Sequence, residues 1–207
     1  MDTDTYQPSR ATESMRERLT GGNPDAPLLT YIGRVSKEKD LERLDHVMQL
    51  VRAELGAARL AIVGDGPFLD ELKEGFDPSY TVFTGYLSGD ELAAAFAVGD
   101  VFLFPSATET LGLVALESFA SGVPVIGTRA GGIPFVIEEG VTGHLIAPDA
   151  DDAAWADAAV NLLRDPSRRS EMGTSARREA EKYSWVESTQ ALLTAYEEAI
   201  EHPYHRD

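Results

Sequence analysis

Asp100-Val-Phe-Leu-Phe104-Pro105-Ser-Ala-Thr-Glu109-Thr-Leu-Gly112-Leu113-Val-Ala-Leu-Glu117-Ser-Phe-Ala-Ser-Gly122 is the stretch whose reading decides the fold. Its opening run, Val101 to Phe104, reads as a buried strand. The helix expected after it is apolar nearly all round, with Leu111, Leu113, Val114, Leu116 and Phe119, and a helix of that kind is buried. Thr108 or Thr110 can cap it, Gly112 permits close backbone approach near its first turn, and Gly122 can end it. Two carboxylates interrupt the apolar pattern. Glu109 stands at the helix entrance and Glu117 about two turns inside. A buried carboxylate needs donors, or it does not stay charged. Between the two, at Gly112 and Leu113, lie exposed backbone N–H groups and the positive end of the helix dipole, a ready anion site.

Outward from this stretch, strands and helices alternate. Strands are expected at 28–33, 59–64, 80–84, 100–104, 123–127 and 143–146. A helix from Asp40-Leu41 carries Leu41, Leu44, Val47, Met48 and Val51 on one face, and another runs from Phe68 to Glu74. A third spans Ser88 to Val98, with Ser88 and Glu91 spaced as a capping box. A short helix is expected from Ile133 to Glu139, two more over 151–183 split at Asp165-Pro166, and a last one from Tyr183-Ser-Trp185 through Ile200. The fold class is therefore α/β, a doubly wound parallel sheet. Its loops at 34, 64, 85, 106, 128 and 147 gather at the carboxyl ends of the strands.

Those loops carry most of the polar chemistry. Gly33-Arg34-Val-Ser-Lys37-Glu-Lys39 holds two of the chain's four Lys residues. A planar guanidinium and a flexible ammonium suit a diphosphate, and Gly33 lets backbone approach it. Gly64-Asp-Gly66-Pro67 lacks the third glycine of a dinucleotide fingerprint, since Leu69 stands there. It is a wall of a nucleotide pocket or simply a tight turn. Gly131 and Gly132 can offer backbone donors, Tyr86 is expected to pack at a strand end, and His144 to serve the scaffold.

Glu109 and Glu117, with seven residues between them, resemble the E-x7-E signature of group 1 (family four) glycosyltransferases of the GT-B fold. Phe104-Pro105-Ser106, Gly122-Val-Pro-Val125, Gly131-Gly-Ile-Pro134, Gly33-Arg34 with Lys39, and Val63-Gly-Asp-Gly-Pro67 extend the resemblance over about residues 1 to 200. What it implies is the Rossmann-like C-terminal domain of such an enzyme, binding a nucleotide-diphospho-sugar and transferring a hexosyl group with retention. A UDP-sugar is favoured. The resemblance implies diphosphate contacts for Arg34 and Lys39, leaving Lys37 to solvent. It implies nucleobase contacts through backbone near Gly85, ribose hydroxyls on Glu117 and sugar hydroxyls on Glu109. One position departs from the family pattern: Phe135 stands where an acidic residue commonly follows Gly-Gly-x-Pro.

The resemblance divides the chain into an interdomain linker with a short helix (1–26), a donor-binding domain (27–183) and a crossing helix with tail (184–207). An N-terminal acceptor domain is expected to be absent from this chain. This fragment alone is therefore expected to be inactive, with the parent enzyme peripheral at a membrane. A disordered tail is the alternative for 1–26. In the family the last helix crosses back to the N-terminal domain, so Trp185, Leu192, Leu193 and Tyr196 are expected to expose apolar surface here.

Length allows one domain with a full core among these 207 residues. The net charge of −17 argues against nucleic acid or an anionic membrane as a partner held by bulk charge. Without cysteine there is no disulfide framework and no thiolate chemistry. No cofactor and no metal are expected, and the two His of the tail, His202 and His205, are poorly spaced for one. A cytoplasmic setting is expected. The acidic, Lys-poor composition suggests a high-salt cytoplasm, where screening relieves self-repulsion. Melting temperature should then climb with KCl, and a flat profile up to molar salt would remove that idea. Competing readings are a dinucleotide-dependent dehydrogenase domain, a nucleotide-sugar-binding domain without transfer, and an epimerase of the same fold.

Overall fold

The computed structural model describes residues 1–201. Its six strands are β1 (Leu28–Ile32), β2 (Arg59–Val63), β3 (Thr81–Gly85), β4 (Val101–Phe104), β5 (Val125–Thr128) and β6 (Gly143–Ile146). Every residue of β1, β4 and β5 is buried. Continuous apolar runs of this kind belong to strands covered on both faces, and all neighbours pair in parallel. The order is β3-β2-β1-β4-β5-β6. Leu29 of β1 sits between Leu60 of β2 and Val101 of β4.

Eight helices are described: α1 (Glu13–Leu19), α2 (Arg43–Glu54), α3 (Leu69–Gly75), α4 (Gly89–Ala97), α5 (Leu113–Ala120), α6 (Asp152–Arg164), α7 (Pro166–Glu181) and α8 (Trp185–Glu201). From β1 the chain winds outward to β3, then returns to β4 and winds the other way to β6. The order therefore reverses between β1 and β4, and their following loops diverge there, leaving a crevice at the carboxyl edge.

The expected strands fall within two residues of the observed ones, and the doubly wound, Rossmann-like sheet stands. Four local expectations are corrected. α5 starts at Leu113, later than expected, on a left-handed Gly112 with no side-chain cap from Thr108 or Thr110. Leu111 lies outside the helix, Leu113 is exposed, and Glu117 sits about one turn inside instead of two. Ser88 precedes α4 without a capping bond, and its intended partner Glu91 pairs with Arg18 at 3.1 Å. The helix expected up to Glu139 is a single 3-10 turn, Ile133–Phe135, with Phe135 exposed at its end. α2 begins only at Arg43, because Lys37–Lys39 form a 3-10 turn closed by Asp40 in the left-handed region.

Residues 1–26 are not a loose tail. Met15 and Leu19 of α1 are buried. Arg16 donates to the carbonyls of Pro24, Ala26 and Val98 and to Asp100, which also accepts the Leu28 amide at the start of β1. The Met1 amine donates to the Tyr183 carbonyl at 2.7 Å, tying the first residue to the turn between α7 and α8. α8 buries nothing; Trp185, Leu192, Leu193, Tyr196 and Ile200 are all exposed. His202 and His205 lie outside the described residues.

Candidate functional site

Backbone bonds zip the first three loops together. The Gly33 amide donates to Val63, the Val35 amide to Asp65, and the Gly64 amide to Gly85. The approach is so close that a Cβ on Gly64 would lie 1.9 Å from the Gly33 carbonyl oxygen. Glycine is thus required there by packing, whichever use the turn has. Above this floor lies a cleft of about 270 Å³. Gly33 and Arg34 line one side of it, Val114 and Glu117 of α5 the other, and Tyr86, Leu92 and Phe96 add to its apolar lining. An apolar cleft with few convergent polar groups, at the strand-order reversal, is the usual form of a small-molecule site.

Glu117 is the carboxylate inside it. Burial pushes its carboxyl up to about 7, and the neighbouring Tyr6 hydroxyl offsets only part of that rise. Tyr6 is itself pushed up to about 12, first by burial and then by the charge of Glu117. Its ring stands edge-on to Phe96, centroids 5.4 Å apart. Arg177 of α7 holds it there, donating to the carbonyls of Thr3, Tyr6 and Ala120 and so strapping the first residues to the end of α5.

The amides of Ala115 and Leu116 donate to the Gly112 carbonyl. Those of Gly112, Leu113 and Val114 have no protein partner among the described residues. They face outward at the positive end of the α5 dipole.

Lys39 and Glu109 find each other. Nζ lies 2.5 Å from Oε1, and each side chain keeps less than a fifth of its surface exposed. Nearby, the buried Tyr31 hydroxyl donates to the Arg34 carbonyl at 2.8 Å, and burial and the Glu109 charge raise its pKa. The loop carrying Glu109 is clamped from behind. The Gly132 amide donates to the Glu109 carbonyl at 2.7 Å, and a Cβ on Gly132 would meet the Thr110 carbonyl oxygen at 1.9 Å. The amide of Gly132, expected to face a sugar, is therefore spent on Glu109.

Among the expected site residues, Gly33, Arg34 and Glu117 meet in the cleft, and Gly85 underlies it through its carbonyl bond to Gly64. Lys39 and Glu109 form a second cluster held by Gly131 and Gly132. Tyr86 is no packed strand-end aromatic; it is three-quarters exposed and lines the cleft. His144 is tied to Glu139 by its Nδ1 at 2.8 Å, in keeping with a scaffold role. Sequence reasoning missed Tyr6 and Phe96. The first lies in a stretch with no periodicity. The second carried a signal in the spacing of Leu92 and Phe96, i and i+4, on one face of α4. No group of three or more His, Asp or Glu among the described residues is placed to hold a metal ion, and no described helix is long and apolar enough to cross a membrane.

Comparison with known proteins agrees with this layout. A sulfoquinovosyl transferase of Arabidopsis thaliana is 45% identical over 193 residues, covering 91% of this chain and 37% of the relative. A D-inositol 3-phosphate glycosyltransferase of Corynebacterium kroppenstedtii is 33% identical over 203 residues, covering 92% of this chain and 44% of the relative. The chain thus spans about half or less of the relatives it matches. Among solved structures, sucrose-phosphate synthase from Thermosynechococcus elongatus superposes with a TM-score of 0.80 at 25% identity, over 97% of this chain and 51% of that one. Anabaena HepE in complex with UDP-glucose gives 0.80 at 21% identity, over 96% and 56%. The family model for group 1 glycosyl transferases matches residues 26–165, and with relatives of this identity the chain belongs to that family.

Proposed function

We propose that this chain is the donor-binding half of a retaining glycosyltransferase, taking a nucleotide-diphospho-sugar and yielding its hexosyl group to an acceptor held elsewhere. The observation that carries the reading is the cleft at the strand-order reversal. It has a carboxylate on an apolar wall at one side, and a guanidinium on the other. The nucleobase stacks at the Tyr86 end. Glu117 accepts the ribose hydroxyls, two O–H donors meeting one carboxylate. The diphosphate then lies between Arg34, Lys39 and the free amides of α5.

Charge develops on the departing diphosphate as the glycosidic bond breaks. Preorganised cations and amides stabilise it there without rearranging. An N-terminal Ser or Thr cap on α5 would have consumed an amide that this role needs, which accounts for Gly112 at that position. The reading needs no cofactor. A UDP-sugar is favoured, and the UDP-glucose held by Anabaena HepE on the same fold supports that choice. The exposed apolar residues of α8 are left for the acceptor-side domain. Residues 27–183 act as the donor domain, with 1–26 as a strap beside it and 184–207 as a crossing helix and tail, in a cytoplasmic enzyme.

Calorimetry with UDP, GDP and ADP tests binding directly, and absence of binding to all three would end this reading. Arg34→Ala should weaken nucleoside diphosphate binding by roughly ten- to a hundred-fold, the worth of a charge-assisted hydrogen bond of ~1.5–3 kcal/mol. Uridine itself should bind almost as before. Equal losses for nucleoside and diphosphate would mean that Arg34 shapes the loop and does not touch phosphate.

A further inference from the structure

Two residues assigned to different parts of the donor are already bound to each other. Lys39, read as a diphosphate contact, gives its ammonium to Glu109, read as a sugar contact, at 2.5 Å. Both side chains are largely withdrawn from water. Arg34, by contrast, is exposed and makes no ion pair among the described residues. Without ligand the phosphate site is thus half open and half self-neutralised. A diphosphate arriving at Lys39 meets a carboxylate on the same ammonium. Two anions sharing one cation repel each other, more strongly where water is scarce.

Glu109 has one way to yield. Its main chain cannot retreat, because the Gly132 amide holds its carbonyl and Gly131 and Gly132 press on the backbone of 109 and 110. Its side chain can swing off Lys39, but a released carboxylate beside a low-dielectric wall needs new donors. The hydroxyls of a sugar attached to the diphosphate supply them. A nucleoside diphosphate without its sugar does not.

Building on the donor-site reading, we infer that Glu109 is a built-in counter-ion of Lys39 that the diphosphate displaces, and that the displaced carboxylate favours the sugar-bearing donor over the spent nucleoside diphosphate. Glu109 thereby serves turnover as well as recognition. It is satisfied by Lys39 in the empty site and by sugar hydroxyls in the donor complex. With the product it is left unpaired, and its return to Lys39 helps expel the diphosphate.

The test is Glu109→Gln, which keeps the shape and removes the charge. Isothermal calorimetry with pyrophosphate, UDP and UDP-glucose reads the outcome. Pyrophosphate and UDP should bind about tenfold more tightly to Glu109→Gln, equivalent to ~1.4 kcal/mol. The preference for UDP-glucose over UDP should shrink. A purely structural Glu109 would leave pyrophosphate affinity unchanged or lower it. Should the variant fail to fold, the carboxyl carbon signal of Glu109 in the unaltered protein gives the answer, since it must shift when pyrophosphate is added. If the unaltered chain binds UDP and pyrophosphate and neither affinity rises in the variant, or if that carboxyl signal stays still, this inference falls while the donor site stands. If the unaltered chain binds neither, both fall together.

Discussion

Glu117→Gln is expected to raise the melting temperature of the unliganded protein at pH 8 while it weakens ribonucleotide binding. The sign follows from the carboxyl group's pKa, about 7 in the folded chain against an ordinary 4.5. Between those values the folded state holds a proton that the unfolded state releases. That contribution to stability is complete below about pH 4.5 and is lost as pH rises through 7. Gln mimics the protonated group at every pH. Its advantage should therefore be nil near pH 4.5 and full by pH 8. Because Glu117 is only half-buried, the gain is on the order of 2 kcal/mol, or about 4–8 °C in a domain of this size.

Binding should move the other way. With one acceptor oxygen replaced by an NH2 donor, the ribonucleoside diphosphate should lose ~1–3 kcal/mol. The 2′-deoxy ligand should lose less, since one of its two bonds is already missing, and the residue-by-ligand cycle measures the difference. In the unaltered protein, nucleotide affinity should weaken as pH falls below 7, and in the variant it should not. A melting temperature that drops on substitution, together with equal losses for ribo and deoxy ligands, would make Glu117 part of the scaffold.

Glu117 also marks how far the sequence could be read. An ionisable residue in an apolar stretch is visible without a structure, and so is a basic loop after an apolar strand. Those two signals located both sides of the cleft. The central strands β1, β4 and β5 were legible for a related reason: strands buried on both faces are continuous apolar runs, and these are bounded by Gly, Pro and Asp. Tyr6 was invisible because nothing local places it. Its position depends on Arg177, 171 residues away, gathering the carbonyls of residues 3, 6 and 120. The pairing of Lys39 with Glu109 across 70 residues was hidden for the same reason. The start of α5 misled for another. Capping rules expect a Thr side chain to close a helix, and here three amides are left open on a left-handed glycine. A local rule that fails at the edge of a crevice is itself a pointer to a ligand.

Gly64→Ala should be the most damaging single-methyl change in the cleft floor. Gly64 has φ of +139°, where an L side chain is strained, and the new Cβ would stand 1.9 Å from the Gly33 oxygen and 2.9 Å from its carbonyl carbon. That obstacle is backbone, so it cannot rotate away. The loops after β1 and β2 must separate, and the bonds from Gly33 to Val63 and from Gly64 to Gly85 bend with them. Backbone strain of ~1–3 kcal/mol and overpacking of ~1–3 kcal/mol add to about 2–6 kcal/mol. For a domain of this size that is a fall of roughly 4–24 °C. Gly85→Ala is the matched control. Its φ of +72° is equally left-handed, but nothing lies within 4 Å of the added methyl. It should lose only the strain, ~1–2 kcal/mol. Thermal denaturation of both variants, followed by UDP calorimetry on whatever remains folded, separates the two terms. If the cleft floor is built by close backbone approach, Gly64→Ala loses at least twice what Gly85→Ala loses, and its surviving fold binds UDP poorly because Arg34 has moved with its loop. Equal melting temperatures for the two variants would mean that the loops part freely, and that Gly33 and Gly64 owe their place to backbone conformation alone.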